Sequence, residues 1–172
     1  MTVRDGLAAV TGRFQPVHAQ HLELFAHALA HHDELVVAVT NPDARARRRE
    51  PTSEHRHTDA ANPFTYYERA RLLAAALAGA GLAATVVPFD LTRPEVWHDY
   101  VPAHAHHYVR AYSAWEAAKA DQLRAGGYAV TVLDGDPAAK LDAAAIRAGF
   151  DDGSWVGLVP PSTVPVLTEL LA

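Results

Sequence analysis

Two apolar runs with an amphipathic run between them set the terms for this chain. Leu7 to Thr11 is short, continuous and apolar enough to form a buried strand. Leu22, Leu24, Phe25, Ala28 and Leu29 then recur at helical spacing. Leu35-Val36-Val37-Ala38-Val39-Thr40 is a β-branched run of the kind covered on both faces of a parallel sheet. Strand, helix and strand within about 35 residues make a βαβ unit, so the two strands should pair in parallel through a right-handed crossover. Asn41-Pro42-Asp43 ends the unit with a turn signal.

The alternation continues. Thr65 with Glu68 three residues on is a capping box, and it opens a helix through Leu72, Leu73, Ala76 and Leu77 to Gly79–Gly81. Ala84 to Phe89 predicts a third strand, and Pro94 a short helix that includes Trp97. His106 to Ala111 predicts a fourth strand. Ala114 to Ala125 predicts a helix closed by Gly126-Gly127, and Tyr128 to Leu133 a fifth strand. Lys140 to Arg147 begins another helix, with Asp142 as its cap. At 172 residues without an internal repeat, the expectation is one α/β domain: a doubly wound, mostly parallel five-stranded sheet of Rossmann-like type.

Composition excludes several kinds of function. There is no cysteine, hence no disulfide, thiolate metal site or cysteine nucleophile. About half the residues are apolar, but no run approaches the ~20 needed to span a bilayer, so no membrane partner is expected. No secretory pattern opens the chain, which makes a cytoplasmic location the expectation. A net charge of −5 argues against a nucleic-acid partner. Basic residues nevertheless cluster at Arg45, Arg47, Arg48, Arg49 and His55-Arg56-His57, within a polar stretch at about 43–61. That stretch is either a solvated loop or a lid whose cations clamp an anion.

Gly12-Arg13-Phe14-Gln15-Pro16-Val17-His18-Ala19-Gln20-His21 joins the first strand to the first helix. Gly12 permits a tight exit from the strand and Pro16 stiffens the connection. His18 and His21 fall at the helix N-terminus on one face, beside free backbone N–H groups and partial positive charge. With Arg13 close by, the stretch suits a polyphosphate.

It also resembles the signature of the HxGH nucleotidyltransferase superfamily, and in particular the G-R-x-Q-P-x-H-x-G-H pattern of archaeal-type nicotinamide mononucleotide adenylyltransferases. Gln20 stands where that pattern has glycine. Asn62-Pro63-Phe64-Thr65-Tyr66-Tyr67-Glu68-Arg69 is similar to a second stretch of the family, in which Arg69 either serves the site or pairs structurally with nearby carboxylates. Lys140-Leu141-Asp142-Ala143-Ala144-Ala145-Ile146-Arg147 resembles the superfamily's I-S-G-T-x-I-R. Ile146 and Arg147 are kept there, and both hydroxyl positions are replaced, by Asp142 and Ala144. The closing Trp155 to Leu171 resembles the family's last helix and reads as scaffold.

The resemblance implies transfer of a nucleotidyl group from a nucleoside triphosphate to a small anionic acceptor, with magnesium as cofactor held mainly by phosphates. It places His18, His21, Arg13 and Arg147 in catalysis. Gly12, Phe14, Gln15, Gln20, Ser113 and Ile146 would lie against the nucleotide, and Asn41, Arg56, His57, Asn62 and Trp97 against the acceptor. Trp97 would either stack on that acceptor or pack the core. The departures, together with the long basic segment, make the chain similar to the relatives that activate small phosphonates, such as phosphonoformate, with CTP in phosphonate-antibiotic pathways. Adenylyl transfer from ATP to nicotinamide mononucleotide is the alternative, and a nucleotide sensor that has lost catalysis a third reading. A homo-oligomer is also implied by the family.

Overall fold

The structure is a computed structural model and describes residues 6–47 and 57–172. Five strands form one parallel sheet: β1 (Leu7–Gly12), β2 (Glu34–Val39), β3 (Thr85–Pro88), β4 (His106–Ala111) and β5 (Ala129–Asp134). Their order is β3-β2-β1-β4-β5, so the chain winds outward in one direction from β1 and then returns to start again at β4. The doubly wound expectation is met. Predicted and observed limits agree to within a residue or two, and for β4 they coincide.

Alternation along the strands sends two sets of side chains to two cores. Ala8, Val10, Leu35, Val37, Val39 and Tyr108 face one layer. That layer holds α1 (Ala19–His31), α2 (Tyr66–Ala80), α5 (Ala143–Ala148) and α6 (Val164–Leu170). Ala9, Val36, Ala38 and Val109 face the other layer, formed by α3 (Trp97–Tyr100) and α4 (Ala114–Ala125).

The predicted capping box of α2 is present in full. Thr65 accepts from the Glu68 N–H at 3.2 Å, and Glu68 accepts from the Thr65 N–H at 2.9 Å. One turn further in, Arg69 is almost wholly buried; of the two alternatives left open by the sequence it takes the structural one, with carbonyls in place of carboxylates as its partners. Its guanidinium donates to Arg13 O (2.9 Å), Thr40 O (2.6 Å), Asn41 O (2.8 Å) and Thr65 O (3.2 Å). Burial lowers its pKa to about 10, so it remains charged at neutral pH.

The basic segment is seen only at its margins. Asp43 caps a turn by accepting from the N–H groups of Arg45 and Ala46, and Arg47 pairs with Asp59 at 2.9 Å. Arg48, Arg49, His55 and Arg56 lie outside the described residues.

Arg69→Met keeps the alkyl stem and leaves buried carbonyls unpaired. We expect a loss of about 3–5 kcal/mol, the usual cost of removing one partner from a buried charged network. In a chain of this size that lowers the melting temperature by roughly 10 °C. A thermal scan showing a fall of less than about 2 °C would contradict this role for Arg69.

Candidate nucleotidyl-transfer site

The β1–β2 ladder runs the full length of both strands, to Gly12 and Val39, and the β4–β5 ladder reaches Ala111 and Asp134. Between β1 and β4 only Ala8–His106 and Ala9–His107 are paired. The two strands part beyond that point, which is where the winding direction of the sheet reverses. Ligands of open α/β sheets bind in such a crevice. Here it widens into a cleft of about 230 Å³ walled by the ends of β1 and β4, the start of α1, the first turns of α4 and residues 140–143.

His18 is the N-cap of α1, with extended backbone, and His21 sits in the first turn. Their rings stack with centroids 3.6 Å apart and planes 18° from parallel. The His18 N–H donates to Nδ1 of His21 at 3.0 Å. Nδ1 therefore carries a lone pair, and the neutral ring bears its proton on Nε2 as a hydrogen-bond donor.

Both rings are held neutral. Burial, then the charge of Lys140, lowers His18 to about 4, with Asp142 opposing. Burial puts His21 well below its ordinary value, helped by His18, Lys119, Arg13 and Lys140. Arg13, Arg110, Lys119 and Lys140 line the cleft against the carboxylates of Glu116 and Asp142. Glu116 is engaged by the Ser113 hydroxyl and by Lys140 at 3.7 Å, and Asp142 accepts from the Ala144 N–H as the cap of α5. The cleft thus presents excess positive charge and an Nε2–H donor, a match for phosphate oxygens.

Phe14 supports this arrangement. Its backbone is left-handed at φ 53°, which folds the ring back over Gly12 and edge-on to His21 at 4.9 Å. A Cβ on Gly12 would stand 2.8 Å from that ring. Close approach of the ring, more than the strand exit, is what excludes a side chain there.

Other sequence candidates have different places. Gln15 also lines the cleft, but it is buried and spends its amide on Phe64, donating to the carbonyl and accepting from the N–H, each at 3.0 Å. Arg147 is half-buried and donates to Gln15 O at 2.9 Å, behind the cleft wall. Ile146 is fully buried in the α1/α2 core and Ser113 caps α4, so neither lines the cleft. Gln20 does line it. Its amide donates to Ala139 O and accepts from Leu141 N, both at 2.7 Å.

On the acceptor side, Asn41 donates to Asn62 Oδ1 at 3.3 Å, which joins those two residues beyond β2. His57 is half-buried, while Arg56 lies outside the described residues. Trp97 takes the core alternative. It stacks on Phe89 at 5.2 Å, its N–H donates to Asp90 O at 2.7 Å, and it lies in the α3/α4 layer, away from the cleft. A Cβ on Gly126 would meet its ring at 2.5 Å, which accounts for glycine there.

Sequence reasoning passed over Glu116 and Lys119. The signal existed. Trp115, Lys119 and Leu123 recur every four residues on the buried side of α4, and a lysine in a core stripe is unusual.

The sequence pattern of the cytidylyltransferase-like family matches residues 9–147. The chain belongs to that family. Phosphonoformate cytidylyltransferase of Streptomyces viridochromogenes is 34% identical over 95% of this chain and 91% of its own length. Nicotinamide-nucleotide adenylyltransferase of Halobacterium salinarum is 30% identical over 92% of this chain and 84% of its own. A bifunctional NMN adenylyltransferase/ADP ribose pyrophosphatase from Francisella tularensis shares the fold, with a TM-score of 0.69 at 15% identity; the match covers 98% of this chain and half of that one. The cytidylyltransferase-like chain is accordingly a nucleotidyltransferase. Among its described residues no helix is long and apolar enough to cross a membrane.

His107 lies on the α4 side of β4, fully buried, with neither ring nitrogen hydrogen-bonded and a pKa lowered to about 3, first by burial. The unfolded chain takes up protons on His18 and His107 below pH 6.5 that the folded chain refuses down to about 4 and 3. Stability should therefore be full above 6.5 and fall as the pH drops through that window. Chemical denaturation from pH 7 to 4 should show a declining midpoint. His107→Leu removes no hydrogen bond, so it should flatten the decline without loss at pH 7. An unchanged slope would contradict this assignment.

Proposed function

We propose that this chain transfers a cytidylyl group from CTP to a small phosphonate of the phosphonoformate type, releasing pyrophosphate. The observation that carries the reading is the pair of stacked, neutral histidines in a cation-lined cleft. The acceptor is already ionised, so no general base is needed. A phosphonate oxygen attacks the α-phosphorus of the triphosphate, a new P–O bond forms, and the bond to the bridging oxygen breaks to expel pyrophosphate. The chain's task is to align two anions and to stabilise the charge that builds on the α-phosphoryl and leaving oxygens.

In this reading His21 donates from Nε2 to the α-phosphoryl group, and His18 and Arg13 balance the rest of the phosphate chain. Arg147 acts at one remove, by fixing the Gln15 carbonyl and with it the loop that carries Arg13. Magnesium would enter with the triphosphate and neutralise phosphate charge. Among the described residues no cluster of carboxylates or histidines is arranged to hold a metal, and both cleft carboxylates have protein partners. Phosphate and water ligands suit that ion. Cytidylyl transfer is preferred because the phosphonoformate enzyme is the more similar of the two relatives named above and is matched almost end to end. A cytoplasmic location is part of the same proposal.

The test is pyrophosphate release with CTP or ATP crossed against phosphonoformate and nicotinamide mononucleotide. We expect turnover with CTP and phosphonoformate. Turnover confined to ATP and nicotinamide mononucleotide would replace the proposal with adenylyl transfer. His21→Ala should lower kcat by about 100-fold, as loss of one transition-state donor does. Triphosphate affinity should change far less.

A further inference from the structure

We propose that Arg110 reads the nucleobase, its guanidinium donating to the adjacent O2 and N3 acceptors of cytosine. This deepens the cytidylyl-transfer reading and rests on it.

Arg110 lies near the end of β4 and lines the cleft. Side chains alternate along a strand, and Tyr108, two residues earlier, packs in the core between the sheet and α1. Arg110 therefore leaves the sheet on the α1 side. There it pairs with Glu23 at 3.8 Å, and its charge reaches His27, whose ring lies 5.6 Å from that of Tyr108. The cations that act on His21 are others: Lys119, Arg13 and Lys140. Arg110 thus stands apart from the end of the cleft assigned to the phosphates.

The fold gives this guanidinium little to do. Glu23 is 63% exposed and beyond hydrogen-bond reach, and an ion pair so open to solvent adds little to stability. Arg110 Nε is buried and has no hydrogen-bond partner. The cleft wall on this side of the sheet is apolar, with Val10, Leu24 and Tyr108 facing it. A flat ring suits such a wall, whereas a compact anion gains nothing from it.

Donor geometry selects the ring. A guanidinium offers parallel N–H groups and no acceptor, so it fits an edge that places two acceptors side by side. Cytosine has that edge in O2 and N3. Uracil carries a proton on N3 and turns a donor toward the fork. Adenine sets its amino group beside both N1 and N7, so either edge meets the fork with one acceptor and one opposing donor.

The test is binding of CTP, UTP, ATP and inorganic tripolyphosphate to the full chain, by calorimetry, for the wild type, Arg110→Met and Arg110→Lys. Wild type should bind CTP about 10-fold or more tighter than UTP and ATP, the discrimination one bidentate pair supplies. Methionine keeps the stem without the fork. Arg110→Met should bring CTP down to the affinity of UTP, with tripolyphosphate within about twofold of wild type. Arg110→Lys keeps the charge but not the paired donors, so it should also lose the preference, and it carries the test should Arg110→Met not fold. A CTP preference within about twofold of wild type in either folded variant would overturn the proposal. Equal weakening of CTP, UTP and tripolyphosphate would do so too, by making Arg110 a phosphate contact. A wild type that does not prefer CTP would have the same effect. Cytidylyl turnover by a wild type whose preference survives in Arg110→Met would remove the role of Arg110 alone. A preference lost in both variants of a chain that turns over no nucleotide would uphold the base contact while removing nucleotidyl transfer.

Discussion

One buried guanidinium fixes the loops on which the site depends. Arg69 extends from the first turn of α2 and gathers the carbonyls of Arg13, Thr40 and Asn41, where β1 and β2 leave the sheet. Phe14 and Asn41 have φ of 53° and 49°, a left-handed backbone that asparagine tolerates and phenylalanine resists. Both residues are at or next to a carbonyl that Arg69 holds. The consequence reaches the histidines. With Phe14 held in that conformation its ring lies against His21, and His21 is thereby fixed against His18. The capping box of α2, two elements away from the cleft, is the start of that chain of restraint.

The electrostatics of the cleft follow from the same packing. Stacked imidazoles that were both charged would repel, and burial among arginine and lysine side chains makes protonation of either costly. Neutral rings avoid this and still present a donor. An arriving polyphosphate meets the Nε2–H of His21 as a donor, while Nδ1 stays engaged by the His18 N–H. Permanent cations at the positions of both histidines would have to be desolvated beforehand, at a free-energy cost to the folded chain.

Much of this architecture is legible in the sequence because local signals agree with the tertiary outcome. The β-branched run at 35–40, the Thr65–Glu68 cap and the alternation of strands with helices each imply what is observed. So does the position of Gly12 to His21 between a strand and a helix. Strand order is not written locally, so the crevice between β1 and β4 could not be located from spacing. Side-chain direction was hidden as well. Trp97, Ile146, Gln15 and Arg147 all fall in stretches that resemble site motifs, yet each turns toward the core or toward backbone, because the neighbouring layer offers a better partner. Gln15 pairs with Phe64 in the manner of a strand, and nothing within ten residues of it reveals that. Lys119 was legible in principle, but α4 is so rich in alanine that its buried face is weakly marked.

The departures from the HxGH pattern bear on whether the scaffold is intact. Taken singly, Gln20 for glycine and Asp142 and Ala144 for hydroxyl residues look like erosion. In space they meet. The Gln20 amide bonds Ala139 O and Leu141 N as a neighbouring strand would, Tyr112 donates to the same amide oxygen at 3.4 Å, and Asp142 caps the helix that follows. Glycine at position 20 would leave both backbone groups without that partner, so the residue at 20 and the course of the 139–142 segment depend on each other. The backbone groups of Ala139 and Leu141 are thus paired by the residue at 20, and the Ala144 N–H by Asp142, so the wall of the cleft is hydrogen-bonded at each replaced position.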